Sequence, residues 1–210
     1  MVMKKKKSDL HILLMQIRDE PRVREEEYES FVLYSGLSKS QIDILNVFDT
    51  PTFSPNVIKG YDALMVGGAS EASVSEKDKY PFVDYGEKLL LHCLDKNIPV
   101  FASCFGFQLA VIALGGSLTK DEKDFEMGVI TIRLTKAAQE DPLFKHLSGS
   151  FPAISVHQEK TLQAPKGCIA LAYTDVCCHS FRVKDKPFWT FQFHPEVDKK
   201  TLIERLTIFK

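Results

Sequence analysis

Short apolar runs alternate with longer mixed segments through the first half of the chain. Residues 10–16, 42–47 and 62–66 read as strands, and so does the run Ile98-Pro99-Val100-Phe101. Between them, residues 22–34 read as an acidic surface helix. Residues 84–95 carry Leu89, Leu90, Leu91, Cys93 and Leu94 and should cover the sheet as a second helix. Strand and helix in alternation predict an α/β fold, a doubly wound, mainly parallel sheet flanked by helices, with its site at the carboxyl ends of the strands. After Gly115-Gly116 the pattern changes to short β-rich segments over 129–134, 153–156, 169–173, 179–183 and 188–193. Turn residues separate most of them, which predicts antiparallel strands added in the C-terminal half. Residues 198–206 start on an aspartate and space Leu202, Ile203 and Leu206 as a closing helix.

Composition narrows the class. With 210 residues, 44% of them hydrophobic, the chain can build a sizeable core as one domain over 1–210, and it has no internal repeat or linker. Residues 1–8, with Lys4 to Lys7, read as a solvated tail. The apolar stretch that follows is short and leads to no small-residue cleavage site, and four lysines without a second anchor do not tether a chain to a membrane. No run approaches the ~20 apolar residues of a membrane span. A net charge of −1 offers no electrostatic footprint for nucleic acid. Cys93, Cys104, Cys168, Cys177 and Cys178 are odd in number and lack framework spacing, which points to a reducing, cytoplasmic setting. Cys177-Cys178-His179 is not expected to bind metal, because adjacent strand residues face opposite ways and no CxxC or HxxxH pair completes a site.

Two segments carry the chemistry. Ala102-Ser103-Cys104-Phe105-Gly106-Phe107-Gln108 lies between two apolar runs and reads as a strand turning sharply into a helix, the context of a nucleophile elbow. The helix N-terminus beside the sulfur favours thiolate. Ala102 and Gly106 supply the small side chains that such a turn needs against its neighbours. The second segment, Phe191-Gln192-Phe193-His194-Pro195-Glu196, places His194 and Glu196 two apart on a strand, where the carboxylate orients the imidazole and the imidazole serves Cys104 as base. A third strand ends in Val66-Gly67-Gly68. The N–H of Gly68, or that of Gly67, could join the N–H of Phe105 as an oxyanion hole.

These residues resemble the class I glutamine amidotransferases, whose glutaminase domains carry a G-x-C-x-G-x-Q elbow and an H-P-E near the domain end. The resemblance also takes in Glu126-Met127-Gly128, Asp141-Pro142-Leu143-Phe144 and Ser155-Val156-His157. It implies Cys104, His194 and Glu196 as the triad, Gly68 and Phe105 as oxyanion donors, and Gln108 and Gly67 at the substrate. Ser155, Val156 and His157 would meet the amino-acid end of glutamine through backbone groups. Ala102 stands where the family usually has glycine, Phe107 where histidine is frequent, and Ala69 where relatives such as the GMP synthetase glutaminase domain have proline. The implied reaction releases ammonia from the glutamine side chain through a γ-glutamyl thioester, needs no metal or organic cofactor, and serves a separate synthetase subunit, since no P-loop is present. A free-standing γ-glutamyl peptidase or hydrolase and a catalytically silent binding or regulatory protein are the alternative readings.

Overall fold

The computed structural model of the chain describes residues 5–120 and 125–208; the side chain of Leu206, expected on the apolar face of the closing helix, lies outside the described set. The elements run β1 (Ile12–Gln16), α1 (Pro21–Ser35), β2 (Ile42–Asn46), β3 (Ala63–Val66), α2 (Phe82–Lys96), β4 (Val100–Ser103), α3 (Phe105–Ala113), β5 (Thr119–Lys120) and β6 (Glu126–Leu134). They continue as β7 (Ser150–His157), β8 (Glu159–Lys160), β9 (Cys168–Tyr173), β10 (Cys178–Val183), β11 (Phe188–Phe191) and α4 (Lys199–Ile208).

Nine strands form one sheet in the order β2-β1-β3-β4-β11-β10-β9-β6-β7. The first five are parallel and the remainder antiparallel, as the change of pattern after Gly115-Gly116 predicts. A parallel strand covered on both faces reads as one apolar run, and β1 shows why. Its Leu13 and Met15 enter the core beneath α2 and α3, while Ile12 and Leu14 enter a second core with Phe31 of α1. β1 also lies where the order reverses, so β1, β3 and β4 open a crevice at their carboxyl ends. Among the described residues no helix is long and apolar enough to cross a membrane.

Three expectations need correction. The helix read as an acidic surface element, α1, buries Val23, Glu27 and Phe31, which recur every four residues on one face. The segment expected as a strand over 188–193 leaves the sheet after Phe191, because Pro195 has no N–H to continue a ladder and the His194 N–H goes instead to the Ile154 carbonyl at 2.8 Å. Within the expected tail, Lys7–Asp9 forms a 3-10 turn, held where Gln41 donates to the Lys7 carbonyl at 2.8 Å; residues 1–4 lie outside the described set. The closing helix begins as read, with Asp198 accepting from the Thr201 N–H at 2.8 Å in capping geometry.

Candidate active site

Cys104 joins β4 to α3 in a conformation that a side-chain-bearing residue rarely adopts, φ 49° and ψ −100°. Such backbone costs on the order of 1–3 kcal/mol and persists only where its surroundings enforce it. Here they do: the Cys104 N–H donates to the Phe191 carbonyl at 2.7 Å and the Gly106 N–H to the Gly67 carbonyl at 3.2 Å. A methyl group on Gly106 would stand 2.9 Å from Val66 Cβ and 3.0 Å from Ala102 Cβ, so the small residues flanking the elbow have a steric cause. The Phe105 N–H, at the first position of α3, has no intrahelical acceptor.

His194 and Glu196 sit on the turn that follows β11 rather than on the strand, yet His194 Nδ1 donates to Glu196 Oε1 at 2.7 Å. All three side chains are buried. Burial opposes charge on each, but their mutual field outweighs it. The Cys104 thiol is held below its ordinary value by the His194 imidazole, with the Arg18 guanidinium adding to it. His194, between Cys104 and Glu196, is raised to about 9. Glu196 is lowered by His194. The three side chains form a buried cysteine–histidine–glutamate set whose mutual field favours thiolate and imidazolium, a combination suited to attacking a carbonyl carbon and then donating a proton.

The two glycines after β3 are engaged. The Gly67 N–H donates to the Met15 carbonyl at 3.1 Å within the sheet, and the Gly68 N–H donates to Glu27 Oε1 at 3.2 Å. Glu27 is fully buried and accepts Arg18 Nε on the same oxygen at 2.9 Å, while Arg18 Nη1 donates to Ser70 Oγ at 2.7 Å. A methyl on Gly68 would meet Arg18 Nη2 at 2.8 Å and His194 Cε1 at 2.9 Å. Gly68 therefore faces the imidazole and the Cys104 side chain together, with Cys104 Cβ at 3.5 Å.

A cavity of about 370 Å³ opens over Cys104, in the size range of small-molecule sites, and Arg18, Gln108, Val156, His194 and Arg205 line it. Gln108 is fixed by donating to the Glu159 carbonyl at 3.0 Å. Of the three residues expected on β7, Val156 lines the cavity, its carbonyl 3.8 Å from Cys104 Sγ. Strand alternation turns the buried Ser155 and His157 side chains the other way. Arg205 of α4 is paired with Glu26 at 2.8 Å.

Arg18, Glu27 and Arg205 escaped the reading of the sequence. The spacing of Val23, Glu27 and Phe31 placed Glu27 on the inward face, a signal hidden by the charged residues around it. Glu126 also escaped as a site residue. It forms a second cluster behind β7, where its Oε2 lies 2.9 Å from His157 Nε2 and 2.7 Å from His179 Nε2, with Cys177 beside them. Cys177 and His179 fall on one side of their segment, and Glu126 of β6 and His157 of β7 meet them there, a grouping that no CxxC or HxxxH spacing announces.

Residues 38–207 match the family described as glutamine amidotransferase class-I. The chain is 31% identical to a glutamine-hydrolysing GMP synthase subunit of Sulfolobus acidocaldarius over 150 residues, 70% of this chain and 74% of that one. It is 30% identical to the corresponding subunit of Methanocaldococcus jannaschii over 118 residues, 56% of this chain and 61% of that one. The match to the GMP synthase of Thermosipho africanus, 30% identical, takes in 84% of this chain but only 29% of that longer protein. Among solved structures, a glutamine amidotransferase from Thermotoga maritima superposes with a TM-score of 0.78 over 95% of this chain and 82% of that one, at 19% identity, which speaks to the fold alone. The extent of the family match and the Sulfolobus relative agree: this chain belongs to the class I glutamine amidotransferases.

Proposed function

We propose that the protein hydrolyses the side-chain amide of glutamine to glutamate and ammonia through a γ-glutamyl thioester on Cys104, and that the ammonia passes to a synthetase partner. The observation that carries this reading is the buried set of Cys104 on a strained elbow and His194, both lining one cavity, with Glu196 behind them at 2.7 Å from His194. In the first step the Cys104 sulfur attacks the amide carbon and the C–O π pair moves to oxygen. The resulting oxyanion is met by the Phe105 N–H and by that of Gly68, once the latter exchanges Glu27 for the substrate; Arg18, which shares Glu27, supplies positive charge at the same place. The C–N bond then breaks as the His194 imidazolium gives its proton to the leaving nitrogen. Water, deprotonated by His194, opens the thioester, glutamate departs and the thiol is restored.

Subunits named for GMP synthase among the relatives support a synthetase as the ammonia acceptor. The test is glutamate release by purified protein from glutamine and from a panel of γ-glutamyl dipeptides, beside Cys104→Ala. Turnover of glutamine above the dipeptides, lost in Cys104→Ala, is expected. Preferential dipeptide turnover would replace this reading with a γ-glutamyl peptidase, and equal negligible rates with and without a synthetase would leave a binding protein.

A further inference from the structure

The cluster behind β7 has the composition of a metal centre. Glu126 comes from the start of β6 and His157 from the end of β7, directly opposite each other in the antiparallel pair. Cys177 immediately precedes β10 and His179 lies at its start, where the pairing with β9 is irregular around Cys178 and Ser180; such an irregularity re-aims side chains out of a regular ladder. His157, Cys177 and His179 are buried, and the Glu126 side chain is 12% exposed. One ligand atom from each of the four residues lies within 4.8 Å of every other.

Hydrogen bonding accounts for only part of this cluster. A single carboxylate oxygen, Glu126 Oε2, serves both imidazoles, and Nδ1 of His157 and of His179 are both buried with no hydrogen-bond partner among the described residues. The Cys177 thiol donates to the neighbouring Cys178 carbonyl at 3.3 Å and lies beside the Thr161 backbone. Two imidazoles, a sulfur and a carboxylate share one property, a lone pair to give, and a divalent cation is the partner that takes all four. We infer that Glu126, His157, Cys177 and His179 form a structural zinc site. Sulfur and imidazole ligands select zinc over calcium or magnesium, and four protein ligands make a closed tetrahedral centre. Bonds of about 2.0–2.3 Å place tetrahedral ligands roughly 3.4–3.8 Å apart, so the widest separations of the 4.8 Å group must draw in while the Glu126 Oε2–imidazole separations of 2.7 and 2.9 Å open by about half an ångström or more. Binding exchanges the Cys177 S–H proton, released to solvent, for the metal. Thiolate and carboxylate then balance the charge of the ion. The ion would tie β6, β7 and β10 together on the side of β7 opposite Val156, whose carbonyl faces Cys104.

The site stands independently of the proposed reaction, and its test does not use activity. Full-length protein lacking an affinity tag of histidines is purified with zinc present and its metal content measured after dialysis. Cobalt(II) is then added to metal-free protein and the visible and near-ultraviolet spectrum recorded. About one equivalent of zinc per chain and a thiolate-to-cobalt charge-transfer band with tetrahedral d–d bands are expected. Cys177→Ser should remove the charge-transfer band, and both it and His179→Gln should weaken zinc binding at least about tenfold. Cys93→Ser, far from the cluster, controls for adventitious thiol binding. Metal content well below one equivalent together with no cobalt band in the wild type would overturn the inference, whether or not the variants fold. A band that survives in Cys177→Ser would overturn it as well.

Discussion

Two groups of cysteine, histidine and glutamate lie on either side of β7, alike in residue type and opposite in character. Around Cys104 the sulfur sits at a helix N-terminus, on a positive-φ elbow, open to a cavity, and its thiol is held below its ordinary value. Around Cys177 the sulfur is enclosed, and burial together with the Glu126 carboxylate pushes its thiol up. The imidazoles diverge the same way. His194, between a thiolate and a carboxylate, is raised to about 9, whereas burial lowers His179 against the pull of Glu126. Residue types therefore do not set a thiol's acidity. Backbone placement and a nearby cation do.

The comparison is broken most directly at the sulfur. Cys104→Ala should cut glutamate release from glutamine by at least about 10⁴-fold in a coupled glutamate assay. In the wild type at neutral pH, peptide mapping after brief iodoacetamide treatment should find Cys104 alkylated on the order of 100-fold faster than Cys177. The next effect concerns the cation beside the first cluster. Glu27→Gln strands Arg18 as a buried charge without its counter-ion and should cost about 3–5 kcal/mol in chemical denaturation. A smaller change tests Gly68: alanine there keeps the backbone N–H but its methyl must push His194 and Arg18 aside, and kcat should fall on the order of 100-fold, the cost of a small misplacement of reacting groups.

The gentlest perturbation is pH. With Cys104 lowered and His194 raised to about 9, the pair is thiolate and imidazolium between the two values. Activity should fall as pH drops through the lowered Cys104 value, because the thiolate takes up a proton. It should also fall as pH rises through about 9, because His194 loses the proton it owes the leaving amine. Each limb should approach about tenfold per pH unit in kcat/KM. A profile whose alkaline limb lies near the ordinary imidazole value of about 6.5 would show that His194 is not held by its two partners.

The fold was legible wherever periodicity reports burial directly. β1, β3 and β4 are short apolar runs covered on both faces, and α2 spaces Phe82, Gly86, Leu89, Leu90 and Cys93 on its inner side. The elbow was legible because its sterics are local: Ala102, Cys104 and Gly106 must be small, reactive and small within five residues. Interactions formed by distant residues were hidden. Glu27 looks like one more charge on an acidic helix until Arg18, at the end of β1, is seen beneath it. Glu126 meets His157 and His179 only after β6, β7 and β10 have been laid side by side. The turn carrying His194 was hidden too, because a backbone bond to Ile154 on β7 decides where β11 ends.

The position of β11 in the sheet also orders events during synthesis. β4 pairs on one edge with β3, which precedes it, and on the other with β11, where Val100 meets Phe188. While the chain emerges from the ribosome, β4 and the cysteine that follows it are made before β11, so one edge of β4 is unpaired and neither His194 nor Glu196 yet exists. The sulfur is then an ordinary thiol on an exposed strand, a liability for misassociation rather than a reagent. Insertion of β11 closes the open edge, draws the Cys104 N–H onto the Phe191 carbonyl and brings the imidazole alongside, so completion of the sheet and arming of the thiol are one late step.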